Sequence, residues 1–325
     1  MGRTAMLGKI GLEEHFAVEE TVGHIPAGLK NAEERKKKLL DILNMRVAEM
    51  DKYGMDLMIL SLNSPAIQET YNAREAVDLA RRCNDHLAEC IARRPDRFRG
   101  FAALPMQDPD AAIEEMERCV KEYGFKGALV NGYSQIGSPD TAVYLDDKRY
   151  WPFWAKMQEL DVPFYLHPRN PMKDQRKIYD GHPWLMAAAW AFTVETSTHM
   201  LRLLCSGIFD EYPKLKLIVG HLGECVPFHS WRTQNRLNRD PRPRPFKLTI
   251  QEYLKRNVYV TTSGFCSTPA LINTIAEMGV ERVMFSTDYP FETVEDAATW
   301  FDNAEIPEDV RAKIGRDNAR ALFNL

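Results

Sequence analysis

Eight short apolar runs recur along this chain, separated by segments with the charge and spacing of amphipathic helices. The runs are "MLGKIGLEEHF", "MDLMILSLN", "RFRGFAALP", "FKGALVNG", "VPFYLHP", "LKLIVGHLG", "NVYVTTSG" and "RVMFSTDYP". Each is nearly continuous in apolar residues, the pattern of strands buried on both faces in a parallel sheet. Helices are expected over Ala32 to Tyr53, Ala73 to Arg94, Pro109 to Tyr123, Tyr150 to Leu160 and Thr268 to Met278. In the third of these, Asp108 can cap, Pro109 fits the first turn and Gly124 ends the helix. Eight βα repeats in 325 residues predict an α/β fold, a (β/α)8 TIM barrel forming one domain over residues 1–325. A doubly wound open sheet is the alternative, but no Gly-rich phosphate loop follows the first run.

Two stretches interrupt the rhythm, residues 17–31 and residues 168–190. Both follow strands, so in a barrel they become long βα loops at the rim of the active site. The Pro/Arg-rich segment from Arg236 to Lys247 reads as a surface connection.

Composition excludes several classes. Net charge is −4 and pI about 6.1, which gives no basis for binding nucleic acid or an anionic membrane. No apolar run reaches the ~18 residues a membrane span needs. The start, "MGRTAMLGK", lacks the apolar core of a secretory signal. Six cysteines without a CxxC pair read as free, buried thiols, so a cytoplasmic location is expected.

The chemistry is expected where the strands end. In a parallel barrel all C-terminal strand ends meet at one face, so residues remote in sequence become neighbours. Run one ends with Glu13 and His15, run five with His167, run six with His221 and run eight with Asp288. All are types that bind a divalent cation through nitrogen or oxygen. Glu13 and His15 are two apart, so they share one face of a strand, and Glu14 points to the other. Glu224, three residues after His221, can hydrogen-bond the imidazole and set its tautomer, or cap the next helix. Arg232, on the helix starting near Val226, can reach an anionic substrate or face solvent. His24 and His182 lie in the two rim loops and are candidates for substrate contact.

With these residues in place, the chain resembles the metal-dependent amidohydrolase superfamily, in its non-oxidative decarboxylase branch. The motifs that carry the resemblance include "LEEHFA", "ILSLNSPAIQ", "DVPFYLHPRNP", "GHLGE", "TTSG" and "FSTDYPFE". The resemblance implies one divalent metal ion per subunit, Zn2+ or Mn2+, on Glu13, His15, His167 and Asp288. It implies His221 beside the metal with Glu224 behind it, Arg232 at substrate and a homotetramer. The implied reaction is decarboxylation of an ortho-hydroxybenzoate; the ring must be protonated before CO2 leaves, and Asp288, at the metal, is the candidate acid. Related decarboxylases of 2,3-dihydroxybenzoate and salicylate usually read "LEEAF". The histidine here, with "SLNSPA" and "NGYSQ", leans to the group acting on 2,6-dihydroxybenzoate. His24 stands where that group is expected to place a phenylalanine lining the pocket. Those two other substrates remain alternatives, as does metal-dependent hydrolysis of a small lactone or amide.

Overall fold

The structure is a computed structural model that describes residues 5–23 and 31–325. Every expected run contains a strand: β1 (Lys9–Phe16), β2 (Met55–Leu62), β3 (Phe98–Gly100), β4 (Ala128–Asn131), β5 (Phe164–His167), β6 (Leu217–Val219), β7 (Val258–Thr261) and β8 (Val283–Met284). All neighbours pair in parallel, in the order β1-β2-β3 and β4-β5-β6-β7-β8. Two parallel bridges, Ala102 with Ala128 and Glu14 with Tyr289, join these sheets into a closed barrel. Closure leaves no sheet edge exposed.

Alternate strand residues build two separate cores. Leu57, Ile59, Leu129, Tyr165, Ile218 and Met284 fill the barrel interior, and Ala319 and Phe323 of the C-terminal helix plug its lower end. The opposite faces of the same strands pack against the surrounding helices. The barrel is therefore a packed solid, and only its upper layer has room for chemistry.

One departure from two-residue alternation positions the site. Gly11 pairs with Met58, but Glu14 pairs with Leu60, so β1 carries one residue more than β2 across this interval. That is a β-bulge. Ile10 and Leu12 face the barrel interior. Simple alternation would have turned Glu14 inward after them. The extra residue turns Glu13 and His15 inward instead.

The expected helix from Ala32 to Tyr53 divides into Ala32–Leu40 and Met45–Lys52. Asp41 causes the break: its carboxylate accepts from the Asn44 amide at 2.8 Å and from the Met45 amide at 3.3 Å, capping the second piece. The long connection after β5 contains short 3-10 turns at Lys173–Tyr179, Pro183–Leu185 and Ala187–Ala189. Its counterpart after β1 begins with a helical turn, Glu19–Val22. Among the described residues, no helix is long and apolar enough to cross a membrane. All six cysteines are unpaired, but Cys266 is exposed and Cys205 and Cys225 are half-buried, so burial is general only to the first three.

Candidate active site

The strand ends converge as the barrel geometry requires. Glu13, His15, His167 and Asp288 each offer one ligand atom, and these atoms all lie within 4.8 Å of one another. His167 Nε2 is 3.1 Å from Glu13 Oε1, and His15 Nε2 is 3.2 Å from Asp288 Oδ1. Glu13 Oε1 and His15 Nε2 are buried without a hydrogen-bond partner. Buried polar atoms are rarely left so, and a cation between them satisfies both. Mixed nitrogen and oxygen donors of this kind suit a first-row divalent ion.

Glu13 and His15 are oriented from behind, whereas His167 Nδ1 is buried without a hydrogen-bond partner. Glu13 Oε2 accepts hydrogen bonds from the hydroxyls of Tyr165 and Ser263, with Thr261 Oγ1 at 3.5 Å, which leaves Oε1 for the cluster. Gly220 makes room for this carboxylate: a Cβ there would lie 3.1 Å from Glu13 Cδ and closer still to Oε2. His15 Nδ1 is 3.2 Å from Ser61 Oγ, so Nε2 turns toward the cluster. Strand alternation is a signal for Tyr165, two residues before His167, whereas Thr261 ends β7 and Ser263 lies beyond it with φ 41°.

His221 stands beside the cluster. Its Nε2 is 4.0 Å from Glu13 Oε1 and 3.7 Å from Asp288 Oδ2, and its Nδ1 is 3.0 Å from Glu224 Oε1. Glu224 therefore orients the imidazole, as one of its two sequence readings expects. The Thr193 hydroxyl donates to the other Glu224 oxygen at 2.7 Å, a support the sequence did not reveal. The turn carrying this pair is strained. His221, Leu222 and Glu224 have φ of 49°, 55° and 57°, and Asp288 has φ 64°. Left-handed non-glycine residues cost about 1–3 kcal/mol each and cluster at functional sites.

The protein's own charges polarise the group. Burial pushes the Glu13 carboxyl up, but the imidazoles of His221, His167 and His15 outweigh it and hold the carboxyl well below the usual range. Burial alone would lower His221. The carboxylates of Glu13, Glu224 and Asp288 instead raise it well above the usual histidine value. Burial lowers His167, favouring the neutral form that ligates cations.

A cleft of about 490 Å3 opens over these groups, a size suited to a small aromatic molecule. His167, His221 and Asp288 form its floor, Phe192 and Phe291 offer ring faces, and Arg35, Arg169 and Arg176 supply positive charge. The connection over residues 168–190 contributes much of the wall, as its rim position predicts. The model described as Amidohydrolase matches residues 24–325.

This chain belongs to the amidohydrolase family.

Several characterised proteins resemble this amidohydrolase over nearly its whole length. The gamma-resorcylate decarboxylase of Rhodococcus jostii strain RHA1 is 53% identical, over 98% of this chain and 99% of the relative. A crystal structure of 2,6-dihydroxybenzoate decarboxylase complexed with 2,6-dihydroxybenzoate superposes with a TM-score of 0.96 at 50% identity, covering 98% of this chain and 100% of the other. The dihydroxybenzoic acid decarboxylase of Polaromonas sp. JS666, with bound manganese and the inhibitor 2-nitroresorcinol, gives a TM-score of 0.95 at 52% identity, covering 98% of each chain.

Not every expected residue reaches the cleft. Arg232 is exposed and does not line it. Its helix, Val226–Leu237, buries Val226, Pro227, Ser230 and Gln234. Arg232 therefore lies on the outer face, beside the exposed rings of Phe228 and Trp231. His182 is also exposed, stacked edge-on against Trp184 outside the cleft. His24 lies outside the described residues.

Proposed function

We propose that this amidohydrolase decarboxylates 2,6-dihydroxybenzoate to resorcinol and CO2, using one divalent metal ion held by Glu13, His15, His167 and Asp288. The observation that carries the reading is the placement of Asp288. One of its oxygens lies 3.2 Å from His15 Nε2 inside the donor cluster, and the other lies 3.7 Å from His221 Nε2 at the cleft floor. A single carboxylate thus joins the donor cluster to the His221 imidazole. The manganese-bound relative supports Mn2+ as the ion, with Zn2+ compatible with the same donors.

When bound, the divalent cation supplies Lewis acidity, neutralising the carboxylate and ortho-phenolate and fixing the ring. Direct loss of CO2 would leave an aryl carbanion, so a proton must reach the ring first. Asp288 takes the proton of the ortho hydroxyl and delivers it to the ring carbon that bears the carboxylate. The new C–H bond uses a ring electron pair and leaves a ketone at the ortho carbon. The bond to CO2 then breaks, and its electron pair restores the aromatic ring. His221, kept charged by Glu224, stabilises the phenolate oxygen and returns a proton to it. Phe192 and Phe291 wall the cleft against water.

The decisive experiment incubates the Mn2+-loaded protein with 2,6-dihydroxybenzoate, 2,3-dihydroxybenzoate and salicylate, following resorcinol, catechol, phenol and CO2. Turnover of the 2,6-isomer at least about tenfold faster is expected, a margin of ~1.4 kcal/mol at the transition state. High bicarbonate should drive carboxylation of resorcinol. Hydrolysis of a small lactone with no release of CO2 would replace this reading with a hydrolase.

We also infer that the subunits assemble, as a homotetramer on the family resemblance, and that Arg232 meets substrate across a subunit contact. Phe228, Trp231 and Arg232 share one helix face, and Trp184 and Trp190 are exposed on the rim. Large exposed aromatic residues grouped in this way mark interaction surfaces. Arg232→Ala should raise KM about tenfold or more while light scattering still reports a tetramer. A monomeric wild-type protein with full activity removes both inferences.

A further inference from the structure

Glu14 lies between two of the proposed ligands yet faces away from them. It is fully buried and is not among the four residues of the donor cluster. Its carboxylate takes four hydrogen bonds, all from residues 286–289. One oxygen accepts from Ser286 Oγ at 2.9 Å and from the Thr287 amide at 2.8 Å. The other accepts from Thr287 Oγ1 and from the Tyr289 amide at 3.2 Å. The two backbone donors flank Asp288, whose own amide donates to Glu13 O at 3.0 Å.

We propose that Glu14 is a positioning residue that aims Asp288 into the active site, a role that rests on the proton-donor and ligand reading of Asp288 above. Asp288 needs help because its backbone is left-handed, with φ 64°. A carboxylate that accepts from the amides on both sides of that residue holds the turn shut. The same contact reaches the β1 bulge. Ser286 Oγ accepts from the Leu12 and Glu13 amides at 3.1 and 2.6 Å, and it also meets Glu14. The bulge that turns Glu13 inward and the turn that presents Asp288 are thus tied to one another through Ser286 and Glu14. Gly11 provides the space: a Cβ there would lie 2.9 Å from Glu14 Cδ. Arg46 covers the arrangement, stacked 4.5 Å from the Tyr289 ring centre and donating to His15 O.

Glu14→Gln is the direct test. Each carboxylate oxygen receives a backbone N–H, so whichever way the amide turns, its NH2 group faces one of them and that donor loses its acceptor. Outer supports of metal sites typically contribute 10–100-fold in metal affinity or activity. Mn2+ affinity should therefore fall by about 10–100-fold. At saturating Mn2+, kcat should fall by a similar factor while KM stays within about threefold. The specific readout is a cycle on Mn2+ affinity measured by calorimetry. Added to Asp288→Asn, Glu14→Gln should cause little further loss, because both act through one side chain. Additive losses, or a Glu14→Gln protein with wild-type Mn2+ affinity and kcat, overturn the proposal. Should Glu14→Gln not fold, Thr287→Val removes one donor at constant size and should shift both quantities in the same direction by about 3–10-fold; wild-type values there also overturn it. Full turnover in Asp288→Asn alone would instead sink the underlying reading, and the positioning role with it.

Discussion

Asp288→Asn should slow resorcinol formation by at least about 10³-fold, while 2,6-dihydroxybenzoate still binds. The substitution keeps the shape of the side chain and one oxygen able to face the cation. It removes the carboxylate proposed to exchange a proton with the ring, which faces His221 and lines the cleft. Asp288 Oδ2 faces His221 Nε2 at 3.7 Å, and the side chain is 13% exposed, at the cleft floor. General acid–base groups typically contribute 10²–10⁴-fold, and in the proposed site the same group is also a metal ligand. The check is a single-turnover assay at saturating Mn2+, with substrate affinity measured separately by calorimetry. A kcat within tenfold of wild type would remove Asp288 as the acid.

Glu13→Gln should weaken Mn2+ binding by more than about 100-fold, or ~2.7 kcal/mol, and abolish turnover in protein purified without added metal. Glu13 supplies a fully buried negative charge, with Oε1 facing His167 at 3.1 Å and His15 and His221 each at 4.0 Å. Its other oxygen is held by the Tyr165 and Ser263 hydroxyls. Hydroxyls rotate and accept the amide of a glutamine, so the variant should fold. What it lacks is the charge that offsets a divalent cation in a buried site. Elemental analysis of the purified variant is the direct measurement. Stoichiometric Mn2+ retained through dialysis against a chelator would show that Glu13 is not a ligand.

Much of the architecture was legible because its signals are local. A strand buried on both faces needs an apolar run, and all eight runs contain strands. Ionisable residues at the ends of those runs are too costly for a core, so Glu13, His15, His167, His221 and Asp288 stood out by type and position. Other features depend on contacts that no local pattern encodes. The break at Asp41 needed a side chain competing with the helix backbone. Arg232 had the right charge, but its place on a helix with Ser230 and Gln234 inward turns it away from its own cleft. Thr193 meets Glu224 only because the helix after the rim connection crosses the turn that follows β6.

Alone, the order of residues determined the barrel, the face on which its chemistry sits and the chemical kinds gathered there. Parity paired Glu13 with His15 and set Glu14 on the other face, although simple alternation from Leu12 would have turned Glu14 inward. The choice was made by hydrogen bonding to distant strands. Gly11 pairs with Met58 and Glu14 with Leu60, while Ser286 holds the Leu12 and Glu13 amides. Strand register is set by partners far along the chain, and a shift of one residue exchanges the two faces. In this protein that shift separates a carboxylate facing the donor cluster, Glu13, from one bonded to residues 286–289, Glu14.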